Sequence, residues 1–244
     1  MALVNTFEKQ GVILFKYRGQ FPIVLFFLSI QFIWFTDYSS IIHVKYYLII
    51  SIVLVLLGFM IRFYTIGTTL KGTSGRNRKK QVAESLNSTG IYSIVRHPLY
   101  LGNYCIWIGI AFYVFNIMFV IIISFLFWLF YERIMFAEER FLERRFGKEY
   151  LDWSNKIPAF FPALSKYKAS SVPFSIKSIL RREYSGVLAT VFSFAFVDFL
   201  RNYRLGKELL TEEMLYILVF ILMVSLTLKI LKRYTKVLFE KDRS

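Results

Sequence analysis

The stretch Tyr46-Tyr-Leu-Ile-Ile-Ser-Ile-Val-Leu-Val-Leu-Leu-Gly-Phe-Met-Ile61 contains no charged side chain. A helix built from it has no polar face to turn toward water, so it reads as a helix immersed in hydrocarbon rather than the amphipathic helix of a soluble core. Five similar runs accompany it: Phe21–Phe35, Tyr100–Phe115, Ile117–Tyr131, Tyr184–Phe199 and Met214–Leu228. Each run is about 15 residues long, against the roughly 20 that cross a bilayer, and flanking Tyr, Trp, Lys and Arg at the interface complete the length. Asn116 alone separates the third run from the fourth, which predicts a tight helical hairpin. The run Tyr184–Phe199 ends on Asp198 and is followed by Arg201, so it is expected to be only partly embedded. The fold expected is all-α: a polytopic transmembrane helical bundle of five to six spans.

Composition narrows the class further. The chain has 244 residues, of which 56% are hydrophobic and 19% aromatic, and a formal net charge of +15. The basic residues fall between the apolar runs. Arg76, Arg78, Lys79 and Lys80 precede the third; Arg140, Arg144, Arg145, Lys148, Lys166, Lys168, Arg181 and Arg182 lie between the fourth and fifth; Lys229, Lys232, Arg233 and Lys236 follow the sixth. With six spans these segments share one side with the N-terminus. The positive-inside rule makes that side cytoplasmic, so both termini are expected there, in the inner membrane of a bacterium or the endoplasmic reticulum of a eukaryote. Lys9, Lys16 and Arg18 precede an apolar stretch with no small-residue cleavage site, which reads as a retained span. Positive charge also suits nucleic acid, but no soluble domain is left over to bind it. Cys105, the single cysteine, sits inside an apolar run and reads as a small buried hydrophobe. The only histidines are His43 and His97, too few partners for a metal site, so no metal is expected.

Two segments are too polar for lipid and too organised for linkers: 67–96, with Gly67, Gly72, Gly75 and Gly90, and 137–162, a charged helix running into prolines. Within the first lies Gly90-Ile-Tyr92-Ser-Ile-Val-Arg96-His97-Pro98-Leu99-Tyr100-Leu-Gly102. Pro98 suits the first turn of a helix, where its missing N–H costs nothing, and this leaves Arg96 and His97 at the helix's positive end. Gly102 and Gly109 share one helix face and leave room for a neighbouring helix or a flat ligand. The second segment carries Glu138-Glu139-Arg140-Phe-Leu142, then Phe146-Gly147-Lys-Glu149-Tyr150, Trp153, Pro158 and Pro162. Acids placed just beyond a span suit a cationic ligand group or sugar hydroxyls.

The pattern G-x-Y-x-x-x-R-H-P-x-Y-x-G, an apolar hairpin, and then E-E-x-x-L-x-x-x-F-G-x-E-Y with two prolines resembles the isoprenylcysteine carboxyl methyltransferases, with related patterns in phosphatidylethanolamine methyltransferases. The resemblance covers about Arg62–Pro162. It implies an all-helical membrane core without a Rossmann domain, S-adenosyl-L-methionine as cofactor, and a lipid or lipidated substrate entering from the bilayer. By position, the resemblance assigns cofactor contacts to Tyr92, His97, Pro98, Leu99, Tyr100 and Glu138, and to Glu84, Ser85, Leu86 and Asn87 in an upstream stretch whose residue types match less well. Where prenylcysteine-methylating members have an arginine four residues before the acid, this chain has Ile134; the adjacent Arg133 would point about 100° away on an ideal helix. Arg96 and Arg133 are the cations beside the motifs assigned to an anionic headgroup. Glu139 is read as part of a solvated face.

Three functions compete at this point. One is O-methylation of an anionic lipid or lipidated group (carboxylate or phosphate), the second is N-methylation of a phospholipid amine, and the third is a non-catalytic membrane scaffold or carrier. An oxyanion is already ionised at neutral pH, whereas an amine must first lose a proton to a base. The division expected along the chain is an N-terminal pair of transmembrane helices (1–61), a methyltransferase core (62–165) and a C-terminal helical hairpin (166–244).

Overall fold

The computed structural model describes residues 2–40, 44–70, 72, 83–241 and 243. His43, Gly75, Arg76, Arg78, Lys79 and Lys80 lie outside them. Among the described residues the chain is helical: α1 (Leu3–Tyr17), α2 (Phe21–Phe35), α3 (Val44–Gly67), α4 (Pro98–Phe112), α5 (Ile117–Phe146), α6 (Lys148–Ser154), α7 (Ile176–Arg204) and α8 (Glu212–Tyr234). The only strand pairing among them is one isolated bridge between Gly90 and Lys168.

Every apolar run became a helix, and most helices outgrow their run. Helices α3, α5, α7 and α8 are long and apolar enough to cross a membrane. The pair α1–α2 passes the same test but bends by 81° at its break, and α4 is a shorter apolar helix. Polar caps explain the boundaries. Asn116 caps α5 by accepting from Phe119 N at 3.1 Å, Ser175 caps α7 by accepting from Ser178 N at 3.0 Å, and Thr211 caps α8 by accepting from Met214 N. Glu212 and Glu213 in the first turn of α8, and Lys232 and Arg233 in its last, match the helix dipole. The α4–α5 connection is the tight hairpin expected from Asn116.

Helix α3 continues past position 61 and packs along α4 through small residues. A Cβ at Gly58 would fall 2.6 Å from Gly102 O; one at Gly109 would fall 2.8 Å from Ser51 O. The glycines therefore let two backbones touch, so the room they leave is taken by α3. Helix α1, not foreseen as a separate element, packs antiparallel to the polar second half of α5. Arg144 reaches Glu8 at 2.5 Å, and Gly11 lies against the Arg133 carbonyl.

One end of the bundle gathers the end of α1 and the turn after it, the end of α3, the start of α4, the second half of α5 and the start of α7 around one cavity lined by charged and aromatic side chains. The end of α8 joins them, with Lys232 Nζ donating to Arg181 O at 3.2 Å. The opposite end is closed by a polar lock. Tyr113 OH donates to Asp198 at 2.9 Å, Arg201 pairs with Asp198, Asn116 donates to Thr36 at 2.9 Å, and Arg204 donates to Ile33 O at 2.6 Å. Asp198 is 6% exposed, so the charged end of the fifth run is packed inside the protein rather than left outside the bundle.

Candidate active site

The two motif halves bind each other. Arg96 N donates to Pro158 O at 2.9 Å, His97 N to Ala159 O at 3.2 Å and Ala163 N to Ile94 O at 2.9 Å. Trp153 Nε1 donates to Tyr92 O at 3.2 Å, and Arg96 Nη1 to Ser154 O at 3.0 Å. The proline-punctuated tail thus runs beside the Arg96-His97 segment and satisfies backbone groups that have no helix to join. Gly147 makes this possible: at φ +52° it turns the chain from α5 into α6, a conformation that side chains with a Cβ adopt at a cost.

Pro98 occupies the first turn of α4 with His97 at the N-cap. His97 Nε2 lies 2.8 Å from Glu139 Oε1, and Nδ1 lies 3.6 Å from Glu138 Oε2, a contact through charge. Arg96 Nε is 3.2 Å from the same Glu139 oxygen. Burial pushes the imidazole toward its neutral form, but the carboxylates of Glu138 and Glu139 outweigh it and hold its pKa above the usual histidine value. Burial and then the Glu138 charge push the Tyr92 phenol well up, so it remains a neutral donor.

These residues border a cavity of about 320 Å³. Its walls include Ser85, Leu86, Asn87, Tyr92, Arg96, His97, Pro98, Leu99, Tyr100 and Glu138. Glu84 is exposed and outside the lining, with its backbone N–H bonded to Gly72 O at 3.0 Å. Arg133 is also outside: its guanidinium donates to Gln10 at 3.0 Å and lies 4.6 Å from the centre of the Phe7 ring. That position follows from helix geometry, because Ile134 next to it is fully buried and Arg133 points toward α1. Glu139, expected on a solvated face, instead borders the cavity and binds His97.

Sequence reasoning gave no role to several wall residues: Arg18, Arg62, Asn103, Tyr150, Arg182 and Glu183. Tyr150 and Trp153 were visible within the second motif. Arg182 read as a charge between the fourth and fifth runs and Glu183 was given no reading, yet both lie in α7 and are 5% and 3% exposed. Charges buried at the start of an apolar run were the available signal. Arg62, a charge among apolar neighbours, offered the same one.

The arrangement defines a polytopic helical membrane protein with a cavity walled by charged and aromatic side chains at one end of the bundle. Residues 46–149 match the family model described as phospholipid methyltransferase. A nickel-cobalt-cadmium resistance protein of Alcaligenes xylosoxydans is 36% identical over 86 residues, covering 35% of this chain and 40% of that protein. The protein-S-isoprenylcysteine O-methyltransferase of Saccharomyces cerevisiae is 34% identical over 84 residues, 34% of this chain and 35% of the enzyme. That of Xenopus laevis is 26% identical over 136 residues, 54% of this chain and 46% of the enzyme. Over the matched segment, the family resemblance carried by the two motifs holds. The chain spans less than half the length of the curated relatives it matches. No solved structure matches it. Among the described residues, no group of three or more His, Cys, Asp or Glu side chains is placed to hold a metal ion.

Proposed function

We propose that this protein transfers a methyl group from S-adenosyl-L-methionine to an anionic lipid or lipidated group, a carboxylate or a phosphate. The observation that carries the reading is the junction of the two motifs. Glu138, Glu139 and His97 meet in one cavity whose other walls include aromatic rings, charged helix residues and polar loop residues. That donor set fits the cofactor. Glu138 would suit its ammonium or ribose hydroxyls, the aromatic rings of Tyr92 and Tyr100 would suit a sulfonium, and the upstream Ser85–Asn87 stretch would offer polar groups to the rest. If bound there, S-adenosylmethionine would supply an electrophilic sulfonium methyl for the acceptor oxygen, with S-adenosylhomocysteine as the leaving group.

The chain's own residues then bind, orient and exclude water. His97 and Arg96 fix the Glu139 carboxylate from two sides, so it serves as a positioning group, poorly placed to take a proton from an amine. This favours the oxyanion acceptor over the phospholipid amine. The end of the bundle that holds the cavity is assigned to the cytoplasmic side, where the cofactor is available. Incubating the purified protein with labelled S-adenosylmethionine and total membrane lipid tests the reading. A methyl ester or a methylated phosphate is the expected product. A methylated amine would overturn the acceptor class, and the absence of any labelled lipid would overturn the activity.

A further inference from the structure

A second cavity, about 670 Å³, lies deeper in the bundle between α2, α3, α4, α5, α7 and α8. Its walls are almost wholly apolar, among them Leu25, Ile110, Ala189 and Leu222. On α7 the positions 186, 189, 190 and 193 carry Gly, Ala, Thr and Ser on one face. Small residues at such spacing ordinarily let a neighbouring helix close in. Here they line open space instead.

What fills that space follows from its chemistry. Water needs two to four polar partners and avoids apolar cavities, and an empty void forfeits packing all along its wall. In a bilayer the abundant filler is hydrocarbon. The volume falls within the range of roughly 300–1,000 Å³ usual for small-ligand sites. Phe192 and Leu222 line the cavity and are 55% and 42% exposed, so the cavity is open rather than sealed and lipid of a surrounding bilayer can reach its wall.

The two cavities meet at Arg62 and Asn103, which line both. Glu183 receives Arg62 in a two-pronged pair, Nε at 2.7 Å and Nη2 at 2.8 Å. Arg62 Nη1 donates to Asn103 Oδ1 at 2.5 Å, and Asn103 Nδ2 donates to Tyr131 OH at 3.3 Å. Buried ions at this depth are expensive, and neutral packing would separate two cavities at lower cost. A polar collar between an apolar chamber and a charged one matches an amphiphile with its chain on one side and its head on the other.

Resting on the methyltransferase reading, we propose that this chamber holds the hydrocarbon chain of the methyl acceptor, and that the Arg62–Glu183–Asn103 collar sets how far its headgroup reaches into the charged cavity. Helices α7 and α8, which follow the segment matched to the family, thus serve as a wall that selects the acceptor by its chain.

The test uses the full-length protein in phosphatidylcholine nanodiscs with hexadecanoic acid carrying a terminal diazirine. Irradiation should give adducts on Ile106, Ile110 or Ile123, which line the chamber and are buried or half-buried. Ala189→Trp and Gly186→Leu, which fill the chamber from one face of α7, should each cut those adducts and the methylation of membrane lipid by roughly tenfold. S-adenosylmethionine affinity, measured by calorimetry, should stay within roughly twofold. Adducts only on outward-facing residues such as Leu129 would overturn the proposal. So would chamber adducts with undiminished methylation in both variants, since that marks a structural lipid. If the wild-type protein binds no S-adenosylmethionine, the methyltransferase reading fails, and with it the acceptor assignment, whatever the adduct pattern.

Discussion

Glu139 holds one carboxylate oxygen 2.8 Å from His97 Nε2 and 3.2 Å from Arg96 Nε, so one acid orients both polar residues of the R-H-P motif. The consequence is testable through pH. A histidine whose folded pKa is raised contributes stability that is fully present below the ordinary value of about 6.5 and is lost as pH rises through the folded value. The thermal midpoint in detergent should therefore fall for the wild type as pH is raised from about 6.5 to about 9, and more steeply than for His97→Gln. Parallel curves for the two proteins would contradict the charged-imidazole assignment. His97, Tyr92 and Glu138 were legible in the sequence because the family pattern fixes their spacing. Glu139 was not, because position on a helix leaves two adjacent acids facing different directions and only the partner segment shows where each one points. The direction of Arg133, which lies outside the cavity lining, was hidden for the same reason. Its neighbour Ile134 takes the buried face, so Arg133→Ala should leave lipid methylation unchanged in the folded protein, and a methylation assay on membrane lipid checks this.

Helices α3 and α4 touch backbone to backbone where Gly58 meets Gly102. A Cβ at Gly58 would stand 2.6 Å from Gly102 O and 2.7 Å from Ile106 Cγ1, and a carbonyl inside a helix cannot swing aside. Gly58→Ala should cost roughly 1–3 kcal/mol of stability, seen as a lower unfolding midpoint in detergent. Gly186→Ala, whose Cβ would have its nearest neighbour at 3.6 Å, should unfold no earlier than wild type. Equal midpoints for Gly58→Ala and wild type would mean the helices are further apart than described. The elements themselves were legible as apolar runs and as the Asn116 hairpin. Their ends were not, since α5 and α7 extend well beyond hydrocarbon into charged sequence, where capping and tertiary contacts decide the length. Helix α1 was hidden by its mixed composition, and its packing partner is the far half of α5.

The whole molecule is a helical bundle with a charged cavity at one end and a polar lock at the other, and the orientation we propose from its basic segments puts the cavity end in the cytoplasm. In a Cys105→Ala background, a cysteine at the exposed Lys207 should be labelled by a membrane-impermeant thiol reagent applied to intact cells, and one at the exposed Lys148 should not. Labelling at Lys148 alone would invert the orientation. The charged cavity is where the molecule's two motifs converge, and its occupant is the central claim. Isothermal titration of S-adenosylmethionine into the purified protein tests it most directly. Saturable binding by the wild type, weakened by roughly tenfold or more in both Glu138→Ala and His97→Ala while each variant stays folded, is the result predicted. Affinity unchanged in both folded variants would contradict it.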